Sequence, residues 1–206
     1  HVENLTRKEA RSVRGADRVS GTACQLLILL CLYPYMLCAM LSSTRAAPRT
    51  WAELCADPAL QDLPYKIETN ARGQIVMSPT YAWHGRFAFQ IARLLEEHLP
   101  DGQASVELAI RTTDGTKVAD AIWCLAERWA QIEDAYDAPV APEICVEVLS
   151  PTNTKAEMNT KRALYFEAGA EEVWLCTSEG KLSFYDADGL LDGPRRVPSF
   201  PDRVEA

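Results

Sequence analysis

Apolar and polar residues alternate through Tyr65–Ser78 on both sides of Asn70-Ala71-Arg72-Gly73, which predicts a β-hairpin ended by Pro79. The period then lengthens. Phe87, Ile91, Leu94, Leu95 and Leu99 fall on one stripe, so Tyr81–Leu99 is predicted as an amphipathic helix stopped by Pro100-Asp101-Gly102. Two strands follow, Ala104–Arg111 and Lys117–Leu125, joined by Thr113-Asp114-Gly115-Thr116, in which Asp-Gly is a hairpin signal. Glu127–Ala135 reads as a short helix and 137–142 as a Pro-rich loop. The strand Ile144–Leu149 breaks at Ser150-Pro151. The helix Thr154–Ala168 follows, with Gly169 in the position that favours a left-handed residue after a helix end. Glu172–Cys176 and Lys181–Tyr185 complete the strands, linked by a turn containing Gly180. Ahead of the hairpin, Thr50 and Glu53 have capping-box spacing for a short helix over Arg49–Asp57. The Gly- and Pro-rich tail from Asp186 is predicted to be mostly irregular. This order predicts an α/β (α+β) domain, a mixed sheet with helices packed against it, over residues 49–200.

Residues 1–42 differ in composition. His1–Ser20 is polar and basic, whereas Thr22–Leu41 is nearly all apolar and long enough for a membrane span. One reading is an anchor or long signal segment. The favoured one takes Met40 as the start of the functional chain and the preceding segment as a dispensable extension. A cytoplasmic protein is expected on that basis, with N-terminal membrane anchoring as the alternative.

Net charge is −8, and because five of the 21 basic and three of the 29 acidic residues precede Met40, the remaining body carries −10. Such a body cannot hold duplex DNA by its overall field, although a local basic groove is compatible with it. The seven cysteines include no Cys-x-x-Cys pair, and Cys124, Cys145 and Cys176 lie in apolar strand-like runs, as reduced core thiols do. No zinc signature is present.

Two carboxylates stand out. Asp120 lies in Lys117–Leu125, where alternation groups it with Val118, Ile122 and Cys124 and puts Ala119, Ala121 and Trp123 on the other face. Glu147 lies in Ile144–Leu149, with Cys145 and Leu149 as its same-face neighbours. A carboxylate in an apolar strand needs a compensating charge, and two on adjacent strands repel unless a cation lies between them. All-oxygen donors completed by water suit Mg2+ or Mn2+. The plainer alternative pairs each acid with a structural Arg or Lys. Glu157 and Lys161 have the spacing of a surface ion pair, and Glu157 is also placed to complete a capping box with Thr154. Leu164 and Tyr165 flank Lys161 and are expected to hold its ammonium over the strand ends. His84, at the start of the long helix, is a weaker substrate-contact candidate, and Trp123 and Trp174 are core candidates.

These residues, in this order, resemble the Uma-two family of restriction endonucleases, a branch of the PD-(D/E)-x-K nuclease superfamily. The resemblance is carried by QIVMSPTYAWHG, the DGTKVAD hairpin, PEICVEVLSPTNT, the series Glu157, Lys161, Tyr165 and Gly169, and EEVWLC, spanning about Leu63 to Tyr185. It implies a restriction-endonuclease-like fold and metal-assisted phosphodiester hydrolysis. Asp120 stands at the Asp of the Pro-Asp motif, with Ala119 replacing the proline, and Glu147 at the strand Glu. Leu149 occupies the place of the usual lysine, whose role passes to Lys161 on the helix. Asp120, Glu147 and the main-chain carbonyl of Val148 would then hold one Mg2+ (or Mn2+), with His84, Glu157 and Tyr165 around them. The implied partner is nucleic acid, DNA in the first instance, and the implied assembly a homodimer. The alternative is a nuclease-fold protein that binds without cutting.

Overall fold

The computed structural model describes residues 48–205. The expectations for residues 1–42, including the apolar run 22–41, therefore lie outside the described residues. Among those described, no helix is long and apolar enough to cross a membrane.

Helix α1 (Trp51–Cys55) is closed at its start by the reciprocal Thr50–Glu53 box. The β1 (Tyr65–Thr69) and β2 (Ile75–Pro79) strands pair antiparallel as a two-stranded hairpin. Helix α2 (Ala82–His98) buries Phe87, Ala88, Ile91, Ala92 and Leu95 along one stripe. It is followed by β3 (Gly102–Thr112) and β4 (Gly115–Leu125), longer than alternation alone suggested because the turn closes tightly at Thr112 and Gly115. Gly115 has φ +81°, and a Cβ there would stand 2.7 Å from the Thr69 carbonyl oxygen, so the corner needs glycine. Helix α3 (Ala126–Ile132) and strand β5 (Ile144–Val148) come next, then α4 (Lys155–Glu167) and β6 (Glu172–Cys176). Gly169 (φ +109°) ends α4 as predicted, and the Ala170 and Gly169 amides donate to the Tyr165 and Phe166 carbonyls.

The main sheet has six strands in the order β3-β4-β5-β6, followed by β7 (Leu182–Asp186) and β8 (Gly189–Leu191). Every neighbouring pair is antiparallel except β5 and β6, whose crossover is α4. Helix α2 covers one face, where Phe87, Ile91 and Leu95 pack with Trp123, Val146 and Trp174. On the other face, Ile132 and Tyr165 pack with Ile122, Cys145 and Val173. This is the mixed α+β sheet that the order of elements predicted.

The tail from Asp186 is mostly irregular, as predicted, apart from β8, which pairs with β7; Val197, Phe200 and Val204 are nevertheless buried against the α2 face. Phe200 meets Trp174 with ring centroids 4.8 Å apart. Its order comes from tertiary burial, which leaves no local period to read. One local expectation fails: strict alternation places Ala119 with Ala121 and Trp123. Ala119 instead packs with Ile122 and Cys124, while Ala121 and Trp123 face α2. The change of face falls at Asp120. Glu107, opposite it, has φ 55°, and the two are not paired, although the ladder continues on either side. Beside this distortion β4 parts from β5, to which only Ala121–Trp123 are paired.

Candidate active site

Where β4 and β5 separate, backbone groups lose their strand partners and side chains take over. The Val148 amide donates to Asp120 Oδ2 at 2.7 Å, a bond that a neighbouring strand would otherwise supply. The Leu149 amide, one residue on, donates to the Cys176 carbonyl of β6. Since the N–H and C=O of a strand residue point the same way, the Val148 carbonyl is directed to the open side, toward β4.

Asp120 and Glu147 are only 1% and 4% exposed, so their charges must be met inside the protein. Asp120 Oδ1 accepts from the Lys66 ammonium in a short hydrogen bond, and His84 Nε2 lies 3.3 Å from Oδ2. Glu147 Oε1 accepts from the Tyr165 hydroxyl at 2.6 Å, and Oε2 from Lys161 Nζ at 2.9 Å. Lys161 also reaches Glu68 Oε1 at 2.7 Å, and Glu68 in turn accepts from the Val118 amide. Lys66 Nζ lies 3.9 Å from Glu147 Oε2, so one ammonium touches both strand carboxylates. Four carboxylates, these three and Glu157, and two ammonium groups line a cleft of about 50 Å3.

Burial alone would lower the pKa of Lys66, but Glu147, Asp120 and Glu68 outweigh it and hold the amine far above its ordinary value. Lys161 is likewise raised: burial and the Lys66 charge act against it, and Glu147, with Glu68 and Asp120, prevails. Tyr165 is pushed well up by burial and then by Glu147, so it stays a phenol that donates. The arrangement fixes two carboxylates on neighbouring strands, supplies a protonated amine from each side, and leaves a narrow opening above them.

The structure brings Asp120, Glu147, Lys161, Tyr165 and His84 together, although they come from β4, β5, α4 and α2. Val148 and Glu157 line the same cleft. Glu157 makes no surface pair with Lys161. Its carboxylate accepts from the Thr154 amide and from Asn153 Nδ2, completing the capping box of α4. Lys66 and Glu68 were not foreseen. Their only signal is a pair of charges at two-residue spacing on β1, a pattern that ordinarily marks the solvent face of a hairpin. Here that face folds over β4. Among the described residues, no three His, Cys, Asp or Glu side chains gather as a metal-binding group on their own. A cation at this site would need a main-chain oxygen and water to complete its shell.

A family model described as "Putative restriction endonuclease" matches residues 53–193. The fold is similar to a crystal structure described as a putative nuclease belonging to DUF820, from Anabaena variabilis ATCC 29413. That likeness has a TM-score of 0.57 at 19% identity and covers 75% of this chain and 90% of that one. No curated protein sequence matches.

Proposed function

Since the chain belongs to the Uma2 family, we propose that it is an endonuclease that hydrolyses nucleic-acid phosphodiester bonds, DNA in the first instance, with Mg2+ (or Mn2+). The observation that carries this reading is the meeting of Asp120, Glu147 and Lys161, from three separate elements, in the lining of one cleft.

The residues fit a divalent cation. The donors facing the seam are hard oxygens: the Asp120 and Glu147 carboxylates and, by strand geometry, the Val148 carbonyl. The space between the carboxylates already accepts a positive charge, because the Lys66 ammonium contacts both. Asp120, Glu147 and Val148 would hold the ion. When bound, it would neutralise charge on the phosphoryl oxygens and make water a better nucleophile.

The chain's own groups do the rest. The Tyr165 hydroxyl and the Val148 amide fix the two carboxylates, so their positions need no reorganisation when substrate arrives. Lys161, kept protonated and aimed by Glu147 and Glu68, donates to the charge that builds on the phosphorus oxygens in the transition state. His84 braces Asp120 from the first turn of α2. A homodimer is part of the same reading, and sedimentation of the full chain tests it.

A second reading, a nuclease fold that binds without cutting, is favoured by the net charge of −8 and by the fact that both strand acids already have partners. The deciding experiment incubates the full chain with single- and double-stranded DNA in Mg2+ or Mn2+, beside Asp120→Ala and Glu147→Ala. Cleavage by the wild type and none by the variants supports the enzyme. An inactive wild type supports the binding protein, and equal cutting by all three removes the claim that Asp120 and Glu147 form an active site.

A further inference from the structure

The Lys66 ammonium is placed where a metal-dependent site would need its metal. It reaches Asp120 Oδ1 directly and lies 3.9 Å from Glu147 Oε2, so it spans the two side chains that would hold the ion. Its side chain is 9% exposed, and it enters from β1, outside the six-stranded sheet that carries both acids. Lys161 is held differently. It sits between Glu147 and Glu68, with the Val118 carbonyl at 3.4 Å, and keeps Glu68 whatever happens at Asp120. Among the described residues, the ion pairs of Lys66 are with Asp120 and Glu147 alone, and Glu68 acts on it only at longer range. Two like charges cannot share that seam without strong repulsion in a poorly hydrated site. Its four-carbon stem is flexible enough to swing the amine to the cleft mouth.

We propose that Lys66 is a built-in competitor for the divalent cation: its ammonium bridges Asp120 and Glu147 and must leave when the metal enters. The hairpin thereby sets the metal affinity of the sheet, weakening it until the amine is drawn elsewhere. A phosphate of the substrate, which carries the opposite charge, is the kind of group that draws it. Substrate and metal then bind cooperatively, because each favours the ammonium outside the seam, the metal by taking its place and the phosphate by attracting it. The inference rests on the metal-dependent reading above, and its test separates the two.

The test titrates Mn2+ into the full chain without nucleic acid, by calorimetry and by the electron paramagnetic resonance of free Mn2+. Lys66→Gln keeps a donor for Asp120 while removing the charge, and Lys66→Met keeps the stem. Both are expected to bind Mn2+ at least about tenfold tighter than the wild type, with the gain lost on adding Asp120→Asn. Lys66→Arg, which keeps the charge, is expected to stay weak. Equal or weaker binding by both neutral variants, or no binding by either, overturns the proposal.

Should neither neutral variant fold, acetylation of the wild type followed by mass spectrometry decides it. Mg2+ is expected to raise labelling of Lys66 severalfold, and unchanged labelling at saturating Mg2+ overturns the proposal. Failure of the nuclease reading looks different: Mn2+ binding tightens in Lys66→Gln, yet no form of the protein cuts DNA.

Discussion

Glu143, just before β5, and Glu147, near its end, lie four residues apart, 2% and 4% exposed, and they are treated in opposite ways. Glu143 has a cation of its own: Arg128 Nε lies 2.9 Å from Oε1, and the Leu125 amide donates to Oε2. Arg128 is locked as well, donating to the Ala141 and Gly169 carbonyls. Glu147 shares its cations. Lys161 divides itself between Glu147 and Glu68, and Lys66 between Asp120 and Glu147. A planar, multiply bonded guanidinium suits a permanent joint, whereas a flexible amine can let go. Burial of an acid therefore does not mark a site, and the exchangeability of its counter-charge does.

The sharpest break between the two acids is in catalysis. Glu147→Gln or Asp120→Asn is expected to cut DNA cleavage by about 1,000-fold or more, the scale seen when a transition-state-stabilising group is removed. Glu143→Gln is expected to stay within about threefold. Initial rates on a supercoiled plasmid at saturating Mg2+ measure both. Comparable losses for Glu143 and Glu147 would erase the distinction.

Stability should reverse the ranking. Glu143→Ala strands Arg128 in a largely buried setting and is expected to cost about 3 kcal/mol, read from the denaturant midpoint. Glu147→Gln should cost less, because Lys161 keeps Glu68 and the new amide still accepts from Tyr165. A larger loss at position 147 would mean that its lysines are as fixed as Arg128.

Alkaline pH separates the core from the cleft in a third way. Burial pushes the thiols of Cys124 and Cys176 up to about 12, and burial also raises Cys145 well above its usual value. In the unfolded chain these thiols ionise near pH 8.5. Above that pH the unfolded state binds fewer protons than the folded one, so stability falls as pH rises. Three such groups predict a loss of about 2–3 kcal/mol between pH 8.5 and 9.5 under reducing conditions, and Cys124→Ala should remove about a third of it. The cleft lysines, whose folded pKa values are raised, give stability that is present in full below about 10.4 and goes only as pH climbs through their folded values. They should contribute nothing to that fall.

How much of this was legible follows from where the information sits. The strands, the long helix and both capping boxes are written in local periods and spacings, and the structure keeps them. The buried acids at 120 and 147 could be picked out because a charge in a greasy strand is costly wherever the strand goes. Lys66 and Glu68 carried no comparable signal. A two-residue charge spacing looks the same whether a hairpin faces solvent or folds over β4. The Asp120 twist was hidden too, since it depends on Glu107, across the sheet, adopting a left-handed backbone. The buried tail gave only scattered apolar residues, whose partners lie far away in sequence.

Smaller effects test whether positioning groups belong to the site. Tyr165→Phe removes the donor to Glu147 Oε1 and keeps the ring in its apolar setting. Cleavage is expected to fall about tenfold or somewhat more, matching the lower end of the ~1.5–3 kcal/mol of one hydrogen bond to a charged group. The Mn2+ affinity should change along with the rate, because a loosened Glu147 is a poorer ligand. A lower rate at unchanged affinity would give Tyr165 a different role.

Glu157 supplies the finest cut. It lines the cleft beside Lys161, one turn away, which made it a candidate, yet its carboxylate is engaged by the Thr154 amide and Asn153 Nδ2. A group already holding a helix start is not free to assist at phosphorus. Glu157→Gln retains an oxygen for the Thr154 amide, so it is expected to leave cleavage within about twofold and to cost no more than about 0.5–1 kcal/mol, the scale of a weakened cap. Thr154→Ala, on the far side of the same box, should cost a similar amount of stability and likewise spare the rate. If Glu157→Gln slowed cleavage tenfold while Thr154→Ala did not, the carboxylate would be acting on substrate or metal. Membership of the site would then extend to a fourth acid.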